Sequence, residues 1–147
     1  EDGVLTYTTS ELDEPLNVTG PVKAILYAAS SALDTDWVVR ITDVHPDGTS
    51  MLICDGILRA RFHESFENPT TLVPHMPTKF EVDLWATSHV FKSGHRLRVA
   101  VTSSGFPRWD RNWQTGKNNA LETSGIKAQN RIFRDAVRPS HVLLPLL

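Results

Sequence analysis

The chain has 147 residues, 15 Lys and Arg against 17 Asp and Glu, a net charge of -2 and a single cysteine. That length fits one domain able to bury a core without staples, and the lone Cys54 excludes an intrachain disulfide and a cysteine-based zinc site. The balanced charge gives no electrostatic footprint for nucleic acid; no apolar run approaches the roughly 20 residues of a membrane-spanning helix and no signal pattern opens the chain, so neither a nucleic-acid nor a membrane partner is expected, and a reducing, cytoplasmic setting is favoured.

Short apolar runs separated by Pro, Gly, Asn and Ser succeed one another along the chain. The first is VLTYT (4–8). PVKAILYAA (21–29) is apolar on both parities, at Val22, Ala24, Ile25, Leu26, Tyr27 and Ala28, which predicts a strand that lies centrally or beneath another layer. WVVRITDV (37–44) and MLICDGILRARF (51–62) flank His45-Pro46-Asp47-Gly48. Proline presets φ for a type I turn there and glycine takes the left-handed position after it, so residues 37–62 read as a long hairpin. Within its second strand Leu52, Cys54, Gly56, Leu58, Ala60 and Phe62 form the core parity, leaving Asp55, Arg59 and Arg61 on the other face. KFEVDLWAT (79–87) sets Phe80, Val82 and Leu84 against Glu81 and Asp83; HRLRVAVTS (95–103) sets Leu97, Val99 and Val101 against Arg96 and Arg98. NRIFRD (130–135) and HVLLPL (141–146) close the series. Many short strands with one wet face, no helical period and no repeat predict an all-β antiparallel sandwich.

The aspartates at 34, 36, 43, 47 and 55 with His45 resemble a metal or catalytic cluster at first reading. Asp47 belongs to the turn, while Asp34 and Asp36, flanking Thr35, are placed where aspartates cap local backbone N–H groups. No twelve-residue calcium loop ending in glutamate follows, and no metal ligand is assigned. Arg59, Arg61, Arg96 and Arg98 are expected to pair with Glu81 and Asp83 across neighbouring strands. G-x-S-x-G, phosphate-loop, dinucleotide and H-E-x-x-H motifs are absent, and the six histidines show no tight spacing. The sequence therefore assigns no catalytic residue and no cofactor. A triad assembled only in space stays open as a rival.

The segment SSGFPRWDRNWQTGKNN (103–119) concentrates Phe106, Trp109 and Trp113 beside Arg108, Asp110 and Arg111. These residue types fit three uses: a plug at one end of the sandwich with Arg108 paired to Asp110, an anchor for another domain, or a sugar-stacking platform. Phe106, Arg108, Trp109, Asp110 and Trp113 are the candidate contact residues.

Taken in order, DGVLTYTTSEL, PLNVTGPV, SSALDTDWVVRITDVHPDG, CDGILRARF, LWATSHVFKSGHRLRVAV, SSGFPRWDRNWQTG and RPSHVLLPLL resemble the carboxy-terminal β-domain of the cocaine-esterase, cephalosporin-acylase and X-prolyl dipeptidyl-peptidase family. The resemblance spans nearly the whole chain. It implies a single galactose-binding-like jelly roll over residues 1–147, a fragment whose α/β-hydrolase and cap domains, and first strands of the sandwich, lie upstream. It implies that the Ser-Asp-His triad belongs to the catalytic domain, so that this chain alone is inactive, packs on those two domains of the same polypeptide and contributes homo-oligomer contacts. A stand-alone carbohydrate-binding module is the alternative.

Overall fold

A computed structural model describes residues 3–147; Glu1 and Asp2, the latter opening the DGVLTYTTSEL block, lie outside the described residues. Eight strands form: β1 (Leu5–Thr8), β2 (Leu16–Ser30), β3 (Asp36–Val44), β4 (Ser50–Arg59), β5 (Thr78–Phe91), β6 (Arg96–Thr102), β7 (Asn130–Phe133) and β8 (His141–Leu143). They make two antiparallel sheets, one in the order β1-β6-β3-β4 and the other β5-β2-β7, with β8 also pairing β2. This is the expected all-β sandwich, and its two layers are compatible with a jelly roll. Among the described residues no helix is long and apolar enough to cross a membrane.

β2 earns its central position by composition. It pairs β5 along one edge, while β7 takes Tyr27–Ser30 and β8 takes Lys23–Ile25 of the other. Residues of both parities, Val22, Ala24, Ile25, Leu26, Ala28 and Ala29, are consequently buried. The core between the sheets is built from alternate positions: Trp37, Val39 and Ile41 of β3 from one sheet, Phe80, Val82 and Leu84 of β5 and Val18, Val22 and Leu26 of β2 from the other. Trp37 and Phe80 meet with ring centroids 5.5 Å apart. Burying side chains of this size stabilises the fold by roughly 1.5–3 kcal/mol each.

The hairpin turn forms as the sequence predicts. His45 N–H donates to Thr49 O, Gly48 N–H donates to His45 O, and Gly48 takes a φ of +88°. Asp47 Oδ1 accepts the Thr49 N–H at 2.8 Å. The parity expected for β4 breaks, however. Cys54 pairs with Ile41 and Leu52 with Thr42, so Ile53 is an extra residue in the ladder. A bulge reverses the facing of everything beyond it. Leu52 accordingly turns outward and is 50% exposed, against the expectation that it joins the core. The strand also ends at Arg59, and Ala60–Phe62 form a 3-10 turn instead of continuing it.

At one side of the sandwich β4 approaches β5 so closely that a Cβ on Gly56 would collide with the Asp83 carbonyl. The obstruction is backbone, which cannot rotate away. Gly56→Ala is expected to cost about 1–3 kcal/mol, as other overpacked positions do. Urea denaturation of the domain checks this, and the midpoint should fall with the slope unchanged.

Candidate interdomain surface

Strands β3 and β4 present one face to the core and the other outward. Their paired outward residues are Asp36 with Arg59, Val38 with Ile57 and Arg40 with Asp55. Val38 is nonetheless fully buried, so this outer face is covered. The cover is the segment that follows β6. Arg108 Nη2 lies 3.0 Å from Asp55 Oδ1, Asp110 Oδ1 lies 3.2 Å from Arg59 Nη2, and Asn112 Nδ2 donates to Asp34 Oδ2 and Asp36 Oδ1 at 2.9 Å each. Every second side chain of this strap reaches down to the sheet, as an extended segment allows.

Beneath the strap lies a lattice of buried ion pairs. Arg59 grips Asp36 through Nε and Nη2 at 2.9 and 3.1 Å, a two-pronged geometry suited to an ionised pair. Arg61 Nε donates to Asp34 Oδ2 at 2.7 Å, and the Arg61 backbone N–H to Asp34 Oδ1 at 2.9 Å. Burial pushes the Asp36 carboxyl up, and the hydrogen bonds from Arg59 and Asn112 pull it only part of the way back. Asp36 in turn raises the Arg59 guanidinium and keeps it charged.

These contacts correct three expectations. Asp34 and Asp36 are partners of distant arginines, not caps of their own turn. Arg59 and Arg61 do not meet Glu81 and Asp83, because β4 and β5 belong to different sheets; Glu81 binds Lys23 and Lys79, Asp83 accepts the Trp85 N–H, Arg96 binds Glu11 and Arg98 donates to Thr8. Arg108 and Asp110 pair with Asp55 and Arg59, not with each other.

The aromatics of the strap stay outside the core between the sheets. Trp109 packs against Gly105 and Trp113 against Gly125, each ring filling space that a Cβ at the glycine would contest. Both rings are half-buried, whereas Phe106 is 59% exposed with the Arg111 guanidinium 4.6 Å from its centroid. A sugar platform needs coplanar exposed rings. The aromatic pairs among the described residues involve none of Phe106, Trp109, Trp113 or Trp85.

Burial, with Asp55 adding to it, pushes the Cys54 thiol up to about 11, so little thiolate forms near neutrality. Histidine side-chain hydrogen bonds among the described residues run to backbone carbonyls or to Asp43, and none joins a serine or cysteine. Asp43 is the centre that the sequence spacing conceals. His95 Nδ1 is 2.8 Å from its Oδ1, and His89 Nε2 is 3.0 Å from its Oδ2. Burial raises this carboxyl, but the two imidazole hydrogen bonds outweigh that and hold it below the usual carboxylate value.

Residues 1–143 match the family described as the X-Pro dipeptidyl-peptidase C-terminal non-catalytic domain. The chain is similar to the cocaine esterase of Rhodococcus sp. (strain MB1 Bresler), with 45% identity over 99% of this chain and 26% of that protein. An aminopeptidase from the marine sediment archaeon Thaumarchaeota archaeon superimposes with a TM-score of 0.95 at 36% identity, over 100% of this chain and 26% of the other. An α-amino acid ester hydrolase gives 0.94 at 36% identity, over 99% and 26%. The chain thus spans about a quarter of the length of these relatives.

The buried pairs carry a direct test. Arg61→Ala leaves Asp34, fully buried, without its cation, and stability should fall by about 3–5 kcal/mol. Arg96→Ala removes an exposed partner of the exposed Glu11, and the loss should stay below about 1 kcal/mol. Urea midpoints of the two variants make the comparison.

Proposed function

The chain belongs to the X-Pro dipeptidyl-peptidase C-terminal non-catalytic domain family, and from that membership we propose that it serves a serine hydrolase of the esterase, amidase or X-Pro peptidase kind by packing on that enzyme's catalytic and cap domains. The nucleophile, acid and base belong to the α/β-hydrolase domain of the same polypeptide, and this domain shapes the rim of the pocket.

One observation carries the reading: Arg108, Asp110 and Asn112 tie the strap to the buried or half-buried Asp55, Arg59 and Asp36 of the sheet, while the apolar ring of Phe106 turns outward. A rigid backbone presenting an exposed aromatic is what a docking surface requires, because little entropy is lost when the partner arrives. Phe106, with Arg108, Trp109, Asp110 and Trp113 holding the strap around it, is the contact patch of this proposal. Contacts between copies of the polypeptide are a second use of the exposed apolar surface.

The upstream chain has a place in the same proposal. Between β1, β6 and β7 runs a cavity of about 220 Å³ lined by Trp37, Val101, Asn130 and Ile132. Trp37 Nε1 and Asn130 Oδ1 find no hydrogen-bond partner among the protein atoms. In this proposal the first strands of the sandwich lie upstream of residue 1 and cover this cavity.

Two experiments test this function. Residues 1–147 alone should turn over no p-nitrophenyl acetate above a heat-killed control; turnover abolished by a serine-directed inhibitor would overturn the reading. Phe106→Ala should leave the melting temperature of the isolated domain unchanged, since the ring is exposed there. In the full-length polypeptide the same change should weaken domain packing by about 2 kcal/mol, the cost of removing an interface centre, seen as a lower melting temperature or lower kcat. An unchanged full-length protein would reject the anchor, and loss of polysaccharide binding with intact hydrolysis would favour the sugar-binding alternative.

A further inference from the structure

Six polar residues are buried among the described residues, and the four aspartates among them fall into two kinds. Asp34, Asp36 and Asp55 each face an arginine. Asp43, equally buried, faces only imidazoles: His95 at 2.8 Å, His89 at 3.0 Å and His45 at 3.9 Å. A buried carboxylate is costly unless a positive charge compensates it. The arginine pairs carry that charge permanently, whereas neutral imidazoles supply only hydrogen bonds and nitrogen lone pairs.

The three rings arrive from separate places. His45 opens the β3–β4 turn, His95 precedes β6, and His89 comes from β5 in the opposite sheet. His45 and His95 lie with ring centroids 4.5 Å apart. One ligand atom each from Asp43, His45 and His95 falls within 4.8 Å of the other two. Tetrahedral zinc with bonds of 2.0–2.2 Å separates its ligand atoms by roughly 3.3 Å, so small side-chain rotations bring the three donors to the required spacing. Two imidazoles and a carboxylate form a borderline nitrogen and oxygen set that suits a divalent transition metal over calcium or magnesium.

We propose that Asp43, His45 and His95 form a zinc-type metal site at the end of the sandwich, with His89 donating to Asp43 from the other sheet as the outer partner that orients it. The ion replaces the proton shared between His95 Nδ1 and Asp43 Oδ1, which passes to solvent. His45 is one-third exposed and gives the ion its way in. Three protein ligands leave a fourth position for water. Because His89 ties Asp43 to β5, loading the site braces the two sheets against each other.

The test uses the full-length polypeptide that carries these residues, stripped with a chelator and titrated with zinc chloride beside His45→Ala and His95→Gln. Circular dichroism in chelator should match between the unmodified protein and His45→Ala, because the partly exposed His45 ring lies 3.9 Å from Asp43. The unmodified protein should take up one more zinc per chain than either variant, and cobalt in place of zinc should give visible absorption that both variants lose. Zinc should also raise the melting temperature of the unmodified protein by several degrees and leave that of His45→Ala unchanged. Equal zinc uptake by all three proteins, or no uptake at all, would overturn the proposal. If His95→Gln fails to fold, His45→Ala alone decides it: a retained zinc stoichiometry refutes the site, and a reduced one supports it.

Discussion

The arrangement of this domain depends on how it holds buried carboxylates beneath a loop. Asp34, Asp36 and Asp55 are all withdrawn from water, and an isolated buried charge costs several kcal/mol. Arg59, the last residue of β4, and Arg61, in the 3-10 turn that follows, satisfy two of them. The third, Asp55, draws its cation from Arg108 on the strap, and Asn112 completes the coordination of Asp34 and Asp36. The strap is therefore placed by charge and hydrogen bonding more than by apolar burial. That explains how a segment with hardly any regular secondary structure keeps one course across the sheet.

The two faces of the β3–β4 hairpin divide the labour. The inward parity carries Trp37, Val39, Ile41 and Leu58, whose burial drives the sheets together. The outward parity carries the charged pairs, with Val38 and Ile57 between them. Hydrophobic burial is non-directional and tolerates a sliding cover, whereas charge-assisted hydrogen bonds add directional specificity. Core and strap thus supply stability and geometry from opposite sides of one sheet.

Most of the fold was legible in the sequence because alternation is local information. Eight runs became eight strands, and the both-parity run at residues 21–29 sits at the centre of its sheet. What escaped was non-local. Arg59 and Arg61 were assigned to Glu81 and Asp83 because adjacent strands in sequence are often neighbours in a sheet, and here β4 and β5 lie in different layers. Leu52 was assigned inward because a bulge at Ile53 leaves no mark in an alternation pattern. The Asp43 centre was missed since its histidines are 2, 46 and 52 residues from it and come from three elements. The strap itself was noticed for its aromatics, while its even-numbered polar residues make the attachments. Reading period two through Arg108, Asp110 and Asn112 would have found them.

A module without its own nucleophile can still govern a reaction through the precision of its surface. Substrate positioning is sensitive to displacements of about 1 Å, so a domain that lines a pocket rim must be stiff where it touches its neighbours. Loops on a sandwich are ordinarily its softest parts. Here the loop facing outward is tied to buried carboxylates of the sheet through Arg108 and Asn112, and both of its tryptophans are folded back against glycines of the same loop. Phe106 alone among its rings is left exposed. That asymmetry, rigid attachment below and one apolar ring above, adds little stability while the domain stands alone, since a ring left in water removes little apolar area from it. It becomes favourable when a second surface covers the ring, and under the proposed function that surface is the catalytic or cap domain.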